Sequence, residues 1–288
     1  RNMNRSLHFF SIDLFRTILL IIGLGLSGIN FSIAQPSQAF QTIKNRYKAL
    51  LPDGPQNIQR IRTIVHTQAS DGSWPDIDYQ DDDRADWDAA GHWNNLQDLA
   101  IFYRNNPQHA FSSKVLESLT SGMHFWFSEK PRCPNWWYNQ IGVPLNIGTT
   151  CLMVEDRLSP EQIRQSIRTM YDLKGDSIYF IGYQKATGQN LIWLATVHFM
   201  GSLLQKDTAG LQIAFNRVGG EIGLSYDEGI KHDFGCHQHG SQLYSGGYGL
   251  GFTADVSKFV YLASGTSYAY SEKKQDILIS FLLDGQQW

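Results

Sequence analysis

Two histidines, His237 and His239, stand a few residues before two tyrosines, Tyr244 and Tyr248, with glycines at 240, 246, 247, 249 and 251. Imidazoles and phenols take up and release protons, and glycine lets other atoms approach the backbone closely. Such a stretch could handle protons where other atoms come close to the backbone. The plainer reading is an aromatic loop held by glycine turns. A metal site is a third, with His232 or Cys236 joining His237 and His239. Side chains at i and i+2, however, share a side only on an extended backbone. Cys236 beside the histidines also raises nucleophilic thiol chemistry, which nothing else in the chain supports.

Carboxylates offer a different chemistry. The segment Asp71–Tyr79 leads into the cluster Asp81, Asp82 and Asp83. The D-x-D-x-D-G order of a calcium-binding loop is absent, so a solvated acidic loop is expected. Glycoside hydrolysis would need two carboxylates. Asp76, Asp78 and Asp86 are the candidates, and no spacing pairs them. Trp136 and Trp137 are adjacent in a non-periodic connection, Pro131–Pro144. Two such rings do not easily enter one core, so at least one is expected to line a cleft.

The elements that must position these groups are helical. Among 288 residues, 42% are hydrophobic and 18% charged, which fits a globular protein with a real core. Basic and acidic residues number 24 and 27, for a net charge of −3, so no nucleic-acid partner is implied. Eight tryptophans and thirteen tyrosines supply flat rings that serve cores and can also carry sugar faces. Apolar faces at helical spacing run through Phe40–Leu51, Ile58–Val65, Trp93–Tyr103 and Val115–Trp126. Ser159-Pro-Glu-Gln162 carries the signs of a helix start, a serine cap, proline at the first position and a capping box. Further helices are expected over Leu191–Leu204, Ala209–Ile222, Thr253–Ala263 and Ser271–Leu283. Strand-like alternation is scarce. The expected fold is one all-α domain of antiparallel helix pairs.

Arg1, Arg5 and Arg16 precede an uncharged run from Thr17 to Ala34, with the small residues Ser32 and Ala34 ahead of Gln35. That order predicts a secretory signal peptide over residues 1–34. The alternative is an uncleaved anchor, since the run is nearly long enough to span a membrane. The first methionine is Met3, so the start reads as imprecise or partial. Residues 35–288 are expected to be a secreted or periplasmic monomer without stable membrane association after cleavage. Cys133, Cys151 and Cys236 allow at most one disulfide, and no metal-type CxxC spacing exists.

Three stretches, Asn135-Trp-Trp-Tyr-Asn-Gln-Ile-Gly-Val-Pro144, Thr187-Gly-Gln-Asn190 and Gln238-His-Gly through Tyr248-Gly249, resemble in that order the N-terminal α/α-toroid domain of polysaccharide lyase family 8. This is the group of chondroitin AC, hyaluronate and xanthan lyases. The resemblance covers roughly Gln35 to Trp288 and implies an all-α fold, an incomplete (α/α) toroid. It also implies β-elimination on a uronic acid, with no cofactor and no metal, and an acidic polysaccharide as partner. Residue by residue, it places the amide of Asn190 on the substrate carboxylate and His239 near that carboxylate and C5. Tyr248 becomes the proton carrier, both base and acid, and Trp136 and Trp137 the platform for sugar rings. His237 and Tyr244 are left as packing or supporting groups. The family's arginine and glutamate lie further along its chain, past a stretch resembling Leu282–Trp288, and its β-sandwich domains follow the toroid. The sequence therefore reads as a fragment ending before part of its site. A glycan-binding toroid without catalysis stays open beside the lyase, as does the choice among chondroitin, hyaluronan, xanthan and other uronic acid polymers.

Overall fold

The computed structural model describes residues 36–54, 56–171, 178–181 and 184–286. The signal peptide expected over residues 1–34 lies outside them. Among the described residues the α-helices are α1 (Pro36–Leu50), α2 (Ile58–Thr67), α3 (Gly91–Asn105), α4 (Ser112–Glu129), α5 (Val143–Met153), α6 (Pro160–Met170), α7 (Gly188–Gln205), α8 (Thr208–Glu221), α9 (Leu250–Ala263) and α10 (Glu272–Ser280). Among the described residues, strand is limited to two antiparallel pairs of two-residue strands, β1 (Phe180–Ile181) with β2 (Gln184–Lys185) and β3 (Gly229–Ile230) with β4 (Cys236–His237). The all-α expectation holds.

The described residues divide into two compact units, one within 45–186 and 193–214, the other within 36–44, 187–192 and 215–286. In the first unit α3 packs on α4 and α5, and α5 packs on α6. Trp74, Trp87, Trp93 and Trp126 are all buried there, with Trp93 and Trp126 edge to face at 5.9 Å. His92 lies fully buried among these rings. Its Nε2–H donates to the Gly122 carbonyl at 2.9 Å, so Nδ1 is the acceptor for the Tyr79 hydroxyl, also at 2.9 Å. Tyr79 in turn accepts the Trp74 amide at 3.0 Å. Burial pushes the His92 pKa down to about 4, the Gly122 contact opposing it. His92 is therefore a neutral core residue with both ring nitrogens satisfied.

The capping box at the start of α6 forms as read. Gln162 N–H donates to Ser159 Oγ at 3.2 Å, and Ser159 N–H donates to Gln162 Oε1 at 2.8 Å. The acidic connection is a run of aspartate-capped turns. Asp81 accepts the amides of Asp83 at 2.9 Å and Asp88 at 2.6 Å. Asp83 accepts those of Ala85 at 2.7 Å and Asp86 at 3.2 Å. Short side-chain carboxylates compete well for nearby backbone N–H groups, which is why they favour turns. Asp78, offered as a hydrolytic carboxylate, accepts the Gln80 amide at 2.8 Å in the same way.

Two differences from the sequence reading stand out. Helix α5 was not among the expected helices, and only its first residues, Val143 and Pro144, fell in the Pro131–Pro144 connection. Val143, Pro144, Ile147, Gly148, Thr150, Cys151, Leu152 and Met153 are all buried, and a helix buried all round has no amphipathic face to detect. The helix expected from Leu191 starts earlier, at Gly188, so Asn190 lies inside the first turn of α7.

In the second unit the core is built on Phe215, Phe252, Phe259 and Phe281. Phe215 meets Phe259 edge to face at 5.4 Å, and Phe252 meets Phe281 at 5.9 Å. Each such ring removed from water contributes roughly 1.5–3 kcal/mol. Helix α10 ends at Ser280, short of the expected Leu283, because Phe281–Gln286 winds on as a π turn.

Candidate active site

The site is built on the short hairpin β3–β4. Gly229 pairs with His237 and Ile230 with Cys236. The chain then reverses at once, with Gln238 N–H donating to the Gln242 carbonyl at 3.1 Å and Tyr244 N–H to that of Cys236 at 2.8 Å. His239 and Gly240 form the tip of this turn, at φ 58° and 79°. The left-handed region is disfavoured for a residue with a Cβ, although histidine tolerates it better than most. The conformation lifts the His239 side chain into an exposed position. It also takes His239 off the extended path on which it would share a side with His237. Among the described residues no group of three His, Cys, Asp or Glu is arranged to hold a metal ion.

Beyond the turn, Ser245–Gly249 forms a π turn that runs into α9. A glycine-rich segment accepts this wider winding, which is frequent at functional sites. It carries Tyr248 back to the histidine. The Tyr248 and His239 rings meet edge to face, with centroids 4.9 Å apart and planes at 90°. Tyr244 completes the cluster, 5.0 Å from Tyr248 and 6.1 Å from His239. Tyr244, read from the sequence as a packing group, is the ring against which both others lean. Burial raises the Tyr248 pKa above the ordinary tyrosine value of 10.0, with Tyr244 and Glu228 adding to the rise. In this environment Tyr248 is a neutral phenol.

The Thr187–Asn190 stretch is fastened to the same hairpin. A helix start leaves its first N–H groups without partners within the helix. At α7 they are met by acidic and amide side chains from elsewhere in the unit. Gly188 N–H donates to Glu221 at 2.6 Å and Gln189 N–H to Gln238 Oε1 at 3.0 Å. The Thr187 hydroxyl donates to Glu228 at 2.5 Å. Negative charge at this end also suits the helix dipole. Gln189 Nε2 donates to Asp255 at 2.8 Å, tying α7 to α9. Asn190 is 7% exposed, and its Oδ1 is buried with no hydrogen-bond partner. A buried amide atom left unpaired is costly unless something satisfies it. A half-turn of the amide exchanges oxygen for nitrogen and offers a donor at the same point.

His239 and Tyr248 are thus in ring contact, and Asn190 is one residue from a backbone group bonded to Gln238, the neighbour of His239. Trp136 and Trp137 belong to the other unit. Both are half-buried. They precede a second π turn, Tyr138–Gly142. Trp137 stands edge to face with Trp193 at 5.9 Å, and Asn135 Oδ1 accepts the Trp137 amide at 3.0 Å. Glu228, Gln238 and Trp193 were missed from sequence. Gly229, at φ 107°, was the available hint of a tight turn beside Glu228.

A family description, polysaccharide lyase family 8, N terminal alpha-helical domain, matches residues 36–285. The chain is 27% identical over 256 residues to chondroitinase-AC of Pedobacter heparinus, covering 88% of this chain and 36% of the relative. It is 24% identical to xanthan lyase of a Bacillus species, over 84% of this chain and 28% of the relative. Among solved structures, chondroitinase AC lyase in enzyme–oligosaccharide complexes superposes with a TM-score of 0.78 at 25% identity, over 85% of this chain and 36% of that one. Chondroitin AC lyase of Streptomyces coelicolor in complex with chondroitin sulphate does so with a TM-score of 0.67 at 16% identity, over 95% and 35%. The chain thus spans about a third of the length of these relatives, and its fold class is the all-α toroid of their helical domains. It belongs to polysaccharide lyase family 8, in the part described as that family's N-terminal alpha-helical domain.

Proposed function

We propose that this domain carries the proton-transfer groups of an enzyme that cleaves an acidic, uronate-containing polysaccharide by β-elimination. The proton on C5 beside the carboxylate leaves as the C4–oxygen bond breaks, giving an unsaturated sugar without consuming water. That proton is only weakly acidic, so donors must hold the carboxylate while charge develops on it. Asn190 and His239 take this part. Tyr248, as phenolate, accepts the C5 proton and returns it as phenol to the departing oxygen, so no net proton is gained. Trp136 and Trp137 offer flat faces to sugar rings. The reading rests above all on the edge-to-face contact of His239 and Tyr248 at an exposed turn.

The raised pKa of Tyr248 refines the reading. A half-buried phenol in the field of Glu228 is well placed as the acid of the second half, while the first half needs positive charge or bound substrate to favour phenolate. Incubating the full-length protein carrying this domain with chondroitin, hyaluronan and xanthan, and following ultraviolet absorbance of the unsaturated uronate, tests the proposal. A rise with at least one polymer is expected. No rise with any would sink it, and binding without turnover would identify a glycan-binding toroid instead.

A further inference from the structure

Glu228 holds together the two stretches on which the proposed chemistry depends. Its Oε2 accepts the Thr187 hydroxyl at 2.5 Å, ahead of Asn190. The same oxygen accepts the side-chain amide of Gln238, and Oε1 accepts the Gly240 backbone N–H at 2.7 Å. The residues on either side of His239 are thus both bonded to one carboxylate. Gln238 passes the link on, since its Oε1 accepts the Gln189 amide at 3.0 Å. His239 and Gly240 sit in left-handed backbone, at φ 58° and 79°. A side-chain-bearing residue is disfavoured there, and charge-assisted bonds to its neighbours offset that.

We propose that Glu228 is a positioning residue for His239 and Asn190, an inference that rests on the lyase reading above. It fixes the turn that presents the imidazole and the helix start that presents the amide, without touching substrate itself. A carboxylate suits this place because two of the partners, the Gly240 N–H and the Gln238 NH2, can only donate, and they meet different oxygens. A glutamine at 228 turns one of its two acceptors into an NH2 group, which faces either Gly240 N–H or the Thr187 and Gln238 donors.

The test uses Glu228→Gln in the full-length protein, with Thr187→Val as a milder variant that removes a single donor. Three quantities are measured, polymer turnover, thermal midpoint and hydrogen exchange at the Gly240 and Gln189 amides. For Glu228→Gln the expected result is kcat lower by about a hundredfold, as for a catalytic group displaced by about an ångström. KM should change little and unfolding should remain cooperative. The Gly240 amide or, through Gln238, the Gln189 amide should exchange at least about tenfold faster, according to which acceptor the glutamine keeps. Should Glu228→Gln not fold, Thr187→Val carries the same test, with kcat falling in a folded protein. Wild-type kcat in the folded variant overturns the proposal, as does exchange unchanged at both amides in Glu228→Gln. A drop in kcat matched by a general loss of protection across the second unit also overturns it, showing a role in stability alone. If the unaltered protein turns over no polymer, the lyase reading fails on that result. Exchange at the two amides then still decides whether Glu228 holds the turn and the helix start.

Discussion

Tyr248 must give up a proton before it can take one from carbon, and its surroundings resist that. Burial, Tyr244 and Glu228 all push its pKa above 10.0. In the domain without substrate, Tyr248 is expected to titrate above the ordinary tyrosine range. Tyrosine ring NMR against pH, with Tyr248→Phe assigning the signal, reads this directly, and a titration below 10.0 would contradict it. In the full-length protein Tyr248→Phe keeps the ring against His239 but has no proton to carry. Turnover is expected to fall at least about a hundredfold with binding largely kept, and surviving turnover would move the proton carrier elsewhere. His92 shows the opposite use of burial. Its folded pKa of about 4 lies below the ordinary histidine value of 6.5, so the fold favours the neutral ring. The stability this gives is complete above pH 6.5 and is lost as pH falls from there toward 4. The loss is about 1.4 kcal/mol per pH unit. Urea unfolding from pH 7 to pH 4 is expected to show that slope in the unaltered protein and a flatter one in His92→Gln. Equal slopes would show that His92 is not held neutral.

At the scale of elements, irregular winding accompanies the proposed functional groups. The π turns at Tyr138–Gly142 and Ser245–Gly249 flank Trp137 and carry Tyr248. At Gly142 one of them runs close against an indole. A Cβ there would lie 2.7 Å from Cζ3 of Trp137. Since Trp137 is half-buried, the indole is expected to yield rather than the backbone. Alanine also gains roughly 0.5–1 kcal/mol over glycine within a helix. Gly142→Ala should therefore leave the thermal midpoint level or slightly raised while moving the ring. A changed tryptophan fluorescence and weaker polysaccharide binding, by about tenfold, are the expected readouts. Unchanged binding with a moved ring would remove Trp137 from the platform. The helix starts differ in legibility for a physical reason. The capping box of α6 lies within four consecutive residues, so it could be read directly. The start of α7 is satisfied by Glu221, Glu228 and Gln238, which are distant in the chain, so no local pattern announces it.

Across the whole molecule, stability owes nothing to cross-links. Cys133, Cys151 and Cys236 are all free and buried. Burial pushes the Cys151 thiol up to about 12, moderated by a 3.2 Å contact with Ser166 Oγ, and that of Cys236 up to about 11. Thiols so held react slowly. The thermal midpoint is expected to be the same with and without reductant, and a thiol reagent should label all three cysteines only on unfolding. A lower midpoint under reduction would reveal a disulfide and contradict the fold. No described helix is long and apolar enough to cross a membrane.

By itself the sequence determined what depends on neighbours in the chain. Helical periodicity marked α2, α3, α4 and α8, and the serine–proline start marked α6. The order of three motifs marked the family and nominated Asn190, His239 and Tyr248. Tertiary structure alone decided what depends on packing. Helix α5 is buried all round, so it carried no stripe to read. Tyr244 became part of the ring cluster only because a left-handed turn and a π turn bring residues 239, 244 and 248 together. Glu228 became a bracket only because folding brings Thr187, Gln238 and Gly240 to one carboxylate. Local spacing records the propensity of a segment, whereas a hydrogen bond between distant residues exists only once the chain has folded to make it.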